Sequence, residues 1–366
     1  MAKHGDLITD GGVTWRVVDR RTHGKVADIP NYFQRSKVMV GSTNTIITPS
    51  KLQININNQG FIGESASIDL NLVSNWDTDS AGFAVQGNRP GKDFYVYLVQ
   101  TNNGKLKFIL SYNSTVPSGY TADTSRKIGG FHCLCTSVGS ISGHSLEDLL
   151  AGEILPDSVW DLLHRPISEP EGMVWVEDIS KWVDIYLSSW DATNNKLVSI
   201  YGGITADGAS SPKWHGEKFA EYLGLVGKRL PMRDEFMVFA KGSNEMTAIT
   251  SSVDGVTTGG HVDTANRRMI SNYGIEDCCG FLYQWSNNIK SNQGTTSWAT
   301  TSVYDSTVDS QEYGSCYYGP CDRAQLGGCW NDSTNCGSRC VHFQFASSNV
   351  NGARGARGVS KPKPEL

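Results

Sequence analysis

The sequence predicts an α+β chain: a small N-terminal β element, then a β-sandwich, then a loop-rich C-terminal domain. Three observations predict it. Short alternating runs rich in β-branched and aromatic residues fill the first third. Helical periodicity is confined to a few short segments in the middle. After Thr247 more than a hundred residues are dominated by Gly, Ser, Thr, Asn and Cys, too many for an ordinary connection unless they are pinned on a core.

Within residues 1–48, VTWRVVD alternates like a strand after the turn residues Asp10, Gly11 and Gly12, which predicts a small separate β element. Residues 49–164 carry LQINI, SIDLNLV, DFYVYLV and KLKFILSY, with turn signals at Asn58 to Gly60 and Asn102 to Gly104. Short strands at that spacing predict a sandwich. HSLEDLLAG (144–152) and PDSVWDLLHR (156–165) each read as about two helical turns, capped by Ser145 and Asp157.

The third domain, 165–359, opens with longer helical signals. In KWHGEKFAEYLGLVG the apolar residues Trp214, Phe219, Leu223 and Val226 recur at helical spacing, and Gly227 stops the run. Arg233 to Ala240 repeats the pattern and ends at Gly242. Beyond it, Phe281, Tyr283, Trp285, Trp298, Trp330 and Phe343 are expected to hold the polar stretch on a core. Residues 360–366, SKPKPEL, form a tail with nothing to bury.

Composition excludes several classes. A net charge of -5 gives no electrostatic case for nucleic acid. No run of 18 apolar residues occurs, and MAKHGDLITDGGVTW lacks an apolar signal core, so neither membrane insertion nor ordinary secretion is expected. The nine cysteines then read as reduced thiols, with disulfides only in a product that leaves the cell.

Three constellations bear on chemistry. Trp330-Asn331-Asp332 offers a carbonyl and a carboxylate to a hard cation, but one triplet supplies too few oxygens for calcium. His132-Cys133-x-Cys135 with Cys278-Cys279 has zinc-like softness without the gaps of structural zinc knuckles, and buried thiols explain it better. Cys329, Cys336 and Cys340, with Cys316 and Cys321 upstream, crowd together, yet only Arg339 stands near to lower a thiol pKa. No nucleophile elbow, HExxH, Walker loop or dinucleotide fingerprint appears. The residues show no active site, and neither a catalytic residue, a metal nor a cofactor is expected.

Three blocks follow in order: VGKRLPMRDEFMVFAKGSNE (226–245), NYGIEDCCGFLYQWSNN (272–288), and LGGCWNDSTNCGSRC followed by GARGV (355–359). This order resembles the formylglycine-generating-enzyme branch of the C-type lectin fold, which implies a C-type-lectin-like C-terminal domain. GYTADTSRKIGGFH (119–132), SVWDLLHRPISEPEGM (158–173) and WVDIYL (182–187) narrow the resemblance to the phage major tropism determinant family, from about residue 90 to 359. That family implies a trimeric receptor-binding tip of a tail fibre whose terminal segment is rewritten by a diversity-generating retroelement.

Carried onto this chain without a gap, the resemblance implies a variable face at Cys329, Asn331, Ser333, Asn335, His342, Gln344, Phe345, Asn349, Asn351, Ala353 and Arg354. It implies a framework of Gly327, Gly328, Trp330, Gly337, Ser338, Arg339, Gly355, Arg357 and Gly358. Family diversification acts on adenines in AAC-type codons. Four of the eleven positions are Asn and six more fit the reachable set; Gln344 does not, because no codon ending in a pyrimidine encodes it.

The implied protein is a non-enzymatic virion component at the tail-fibre tip, assembled in the host cytoplasm. A bacterial surface receptor, protein or glycan, and other tail proteins are its implied partners; a homotrimer is the implied assembly, and residues 1–48 are assigned to virion attachment and trimerisation by position. Two alternatives stay open: a formylglycine-generating-enzyme-like oxidase, and a structural fibre or decoration protein. Against the oxidase, Cys336 and Cys340 are separated by three residues, whereas the enzymes carry a pair separated by four.

Overall fold

Antiparallel pairing of short strands organises most of the molecule. A computed structural model describes residues 7–10, 13–18, 32–34, 36–57, 59–249, 257–291, 298–299, 316–317 and 321–364. The chain divides into one unit of residues 1–134, 151–165 and 364–366 and another of 135–150 and 166–363. Both are mostly β, with two α-helices among the described residues.

In the first unit a five-stranded sheet runs in the order Leu7–Asp10, Val13–Val18, Gln59–Gly63, Leu52–Ile56, Tyr32–Phe33. The N-terminal strands therefore do not stand alone: Val13–Val18 pairs along Gln59–Gly63. Of the predicted turn residues, Gly11, Gly12 and Asn58 lie outside the described residues. A three-stranded sheet joins Met39–Ser42, Thr45–Ile47 and Ser67–Asp69, so SIDLNLV is a strand only in its first three residues. The hairpin Asp93–Gln100/Leu106–Ser111 turns through Gly104 at φ +74° and pairs onward with Ser125–His132 and Trp160–Asp161. Alternate residues from all three sheets, Ile46, Ile54, Phe61, Ile68, Val96, Leu98, Phe108 and Leu110 among them, close on one core. Period-two alternation is what lets each strand give one face to it.

The two short helices predicted before residue 165 do not form. Residues 145–148 make turns with Asp148 at φ +62°, and 156–158 make a single 3-10 turn before the Trp160–Asp161 strand. Two turns are below the length at which helix propagation offsets nucleation, and Ser145 and Asp157 cap nothing helical.

In the second unit both longer predictions hold. Helix α1 spans Gly216–Leu225 and buries Phe219 and Leu223 beside Trp214, with Gly227 beyond it at φ +75°. Helix α2 spans Arg233–Phe239; Glu235 accepts from the Met232 backbone amide at 2.9 Å and forks to Arg229 through two bonds, and Gly242 follows at φ +87°. Packed on them is a four-stranded sheet ordered Gly337–His342, Cys321–Gly327, Tyr283–Ser291, Arg354–Gly355, whose last pair is parallel. Met173–Val176, Lys181–Asp184 and Val359–Ser360 form a separate three-stranded sheet. The predicted tail thus begins inside a strand. Phe281, Tyr283 and Trp285 are buried, while Trp330 and Phe343 are half-buried; the side chain of Trp298 lies outside the described residues.

Candidate functional site

The segment 327–358 leaves one sheet strand and returns to another, and its two ends are fixed by backbone geometry that admits no side chain. Gly327 and Gly328 lie at φ +88° and +78°, in the left-handed region that glycine enters without penalty. A Cβ on Gly327 would overlap the Cys278 carbonyl oxygen, and one on Gly328 would stand 2.8 Å from the Cys336 sulfur. At the far end a Cβ on Gly358 would meet Asp184 Oδ2 at 2.5 Å, the oxygen that accepts the Gly358 amide at 2.9 Å. Asp184 is held in turn by Lys228 at 2.6 Å, a buried ion pair.

Between these glycines sits Arg357, 0% exposed. Its guanidinium donates to the carbonyls of Asp184 at 2.6 Å, Ile185 at 2.7 Å and Glu276 at 2.5 Å, and to Gln284 Oε1 at 3.0 Å. One side chain thereby ties three distant stretches of chain to the segment's end. Midway, Gly337 leaves room for Glu245, whose two oxygens accept the Ser338 amide at 3.1 Å each. Trp330 lies against the cluster of Leu187, Met269, Phe281 and Leu282, and its amide donates to the Phe281 carbonyl at 3.0 Å. Gly355 stands against Leu282. Arg339 departs from the expected frame: it is exposed, so it locks no turn from beneath.

The eleven expected face positions divide by exposure. Asn331, Ser333, Asn335, Gln344 and Asn351 are exposed, while His342, Phe345, Asn349 and Ala353 are half-buried. Cys329 and Arg354 are buried at 2% and 4% exposure, so neither is presented directly to solvent. The Cys329 thiol donates to Asn331 Oδ1 at 2.7 Å. Asp332 accepts the Cys329 amide at 2.8 Å and, by its hydrogen bond, adds to the burial that pushes the Tyr283 phenol upward. His342 and Phe345 stack at 5.4 Å and 19°, Tyr283 tilts against His342 at 5.3 Å, and the Arg354 guanidinium lies 4.2 Å from the centre of the Phe345 ring. The parallel pairing of Tyr283 with Arg354 brings these residues together.

Thiol chemistry finds no support in this geometry. Burial, followed by the Asp332 carboxylate, pushes Cys336 up to about 12 and Cys340 up to about 11, with the Cys340 thiol adding to the first and the Glu245 carboxylate to the second. Burial also takes Cys329 to about 12 and Cys278 to about 11 and raises Cys133, Cys135 and Cys279. A nucleophilic or redox-active thiol needs the opposite shift. The zinc candidates are occupied otherwise: His132 bonds Asp93 at 3.0 Å, and Cys135 donates to Glu276 at 3.4 Å. Among the described residues no three His, Cys, Asp or Glu side chains gather to hold a metal. Glu245, Asp184 and Gln284 were not singled out from the sequence, and Tyr283 only as a core aromatic; all four stood in recognised blocks but carried no site signal of their own.

A loop-rich segment pinned at both ends beside a mixed sheet agrees with a C-type-lectin-like fold. The model of the family described as Mtd second domain matches residues 45–161. A tail fiber receptor-binding protein of Bordetella phage BPP-1 is 30% identical over 290 residues, covering 74% of this chain and 71% of the relative. The solved Major Tropism Determinant M1 variant shares 25% identity at a TM-score of 0.71, covering 90% of this chain and 85% of that one. The P3c variant, at 23% identity and TM-score 0.73 over 100% and 96% of the two chains, adds likeness of fold. The chain belongs to the family of the phage major tropism determinants.

Proposed function

We propose that the protein is a non-enzymatic tail-fibre receptor-binding protein that attaches a virion to a bacterial surface receptor through the 329–354 face. The observation that carries this reading is the separation of roles within one segment. Its glycines and Arg357 are committed to shape, while Asn331, Ser333, Asn335, Gln344 and Asn351 are exposed side chains. Such polar side chains adapt by hydrogen bonding around aromatic anchors, here His342 and Phe345, as in antibody loops. Presentation as a homotrimer, many times per virion, would raise effective concentration and turn weak single contacts into firm attachment.

In this reading residues 49–164 form a sandwich that precedes a C-type-lectin-like domain of residues 165–359, and residues 1–48 serve virion attachment and trimerisation. Assembly takes place in the host cytoplasm together with other tail proteins. The test is adsorption of the purified protein to candidate host cells, with Asn331, Asn335, Gln344 and Asn351 replaced together by Ala. Adsorption should be lost while the melting temperature falls by no more than about 8 °C, because four exposed substitutions of up to about 0.5 kcal/mol each sum to about 2 kcal/mol. Unchanged adsorption would exclude the face.

A further inference from the structure

We infer that Arg354 is a specificity residue of this face, taking beneath the Phe345 ring the carboxylate of an acidic side chain, Glu or Asp, on a receptor protein. The inference rests on the reading of the face proposed above. Arg354 is a buried cation, yet no carboxylate pairs with it among the described ion pairs. Its Nε donates to Gln325 Oε1 at 3.1 Å, and its guanidinium lies 4.2 Å from the Phe345 ring centre. Its Nη1 has no acceptor among the described residues, and neither has Nε2 of the Gln325 carboxamide that it touches. The contrast with Arg357 is chemical: equally buried, that side chain donates four hydrogen bonds.

A guanidinium withdrawn from water without an anion is destabilising. In this assignment the ligand supplies the missing charge. The ring lying over this one is itself half-buried, and in this assignment it swings aside to admit the ligand. A planar fork takes a carboxylate through two parallel hydrogen bonds. The reach selects the source: Glu and Asp carry the carboxylate on a slim methylene stem that passes beside the ring, whereas an acidic sugar carries it directly on a bulky pyranose.

The experiment compares the full-length chain with Arg354→Met and Arg354→Lys, by thermal melting and by adsorption to host cells pretreated with buffer, proteinase or periodate. Arg354→Met should melt about 2–4 °C higher, because the unpaired cation is gone, and should adsorb at least about tenfold less. Arg354→Lys should also adsorb poorly, since an ammonium presents no fork. Proteinase should abolish wild-type adsorption and periodate should leave it. A lower melting temperature for Arg354→Met would show that the Gln325 hydrogen bond and the Phe345 contact already satisfy the guanidinium, and would overturn the inference. Periodate-sensitive, proteinase-resistant adsorption would overturn it too. If the four-Ala variant fails to adsorb while Arg354→Met adsorbs like wild type, this assignment falls and the face stands; if the four-Ala variant adsorbs normally, the face falls and takes this assignment with it.

Discussion

Replacing Arg357 by Leu tests whether the segment's end is held as described. The substitution removes four hydrogen bonds from one charged donor, three of them to backbone carbonyls of Asp184, Ile185 and Glu276. Bonds to a charged group contribute about 1.5–3 kcal/mol each, so the gross loss is roughly 6–12 kcal/mol. Against it stands relief from burying a guanidinium, an effective penalty of several kcal/mol. The net expectation is a loss of about 3–5 kcal/mol, what remains of the gross loss after that relief. For a unit of this size that corresponds to a fall in melting temperature of roughly 6–20 °C. Circular-dichroism melts of Arg357→Leu beside Asn335→Ala, whose side chain is exposed, make the comparison internal. A loss below about 1 kcal/mol for Arg357→Leu, or an equal loss in both variants, would refute the claim that this side chain fixes the frame.

Two further outcomes follow from titratable groups. Burial acts to lower the pKa of His261, but the Asp277 carboxylate at 3.0 Å, with Glu276 beyond it, outweighs burial and the opposing Arg268, so the net shift is upward. Its stabilisation is then fully present below the unfolded value of about 6.5 and is lost as pH rises through the raised folded value. Melting temperature should decline across that alkaline window, and His261→Asn should show a shallower slope; identical slopes would exclude the pair as the cause. For the thiols, a rise of Cys336 to about 12 from an ordinary value near 9 lowers the thiolate fraction at pH 8 about a thousandfold. Iodoacetamide should label Cys336 and Cys340 only after denaturation, and rapid labelling of the native protein would contradict the burial described.

What the sequence revealed, and what it hid, follows from the range of the forces involved. Helices α1 and α2 were legible because Trp214, Phe219 and Leu223 repeat at helical spacing and Gly227 and Gly242 end the runs. The strands around Asp93 to Ser111 were legible for the same local reason, alternation closed by a Gly104 turn. Residues 144–165 carried helical spacing too, but two turns cannot sustain a helix against the pairing that Trp160 and Asp161 find with Gly129 and Gly130. Burial within the face was beyond local reading. Whether Cys329 or Arg354 is covered depends on Phe281 and Tyr283, which pair with them from about fifty and seventy residues away. Arg339 was misplaced because a resemblance transfers position in the chain, while solvent exposure is decided by tertiary packing.

The contacts inside the face are short in range, and this shapes how its specificity can change over generations. Cys329 bonds Asn331, Gln344 bonds back to His342, and Ala353 bonds Asn351, each a neighbour two positions away. Substitutions at well-separated positions should therefore combine additively, so a lineage can exchange one exposed amide at a time and keep a folded protein at every step. The stack of His342, Phe345 and Arg354 is the exception, because its members touch one another. Changes there are epistatic: a new partner chemistry at that corner requires several residues to alter together, while the amide field around it drifts freely.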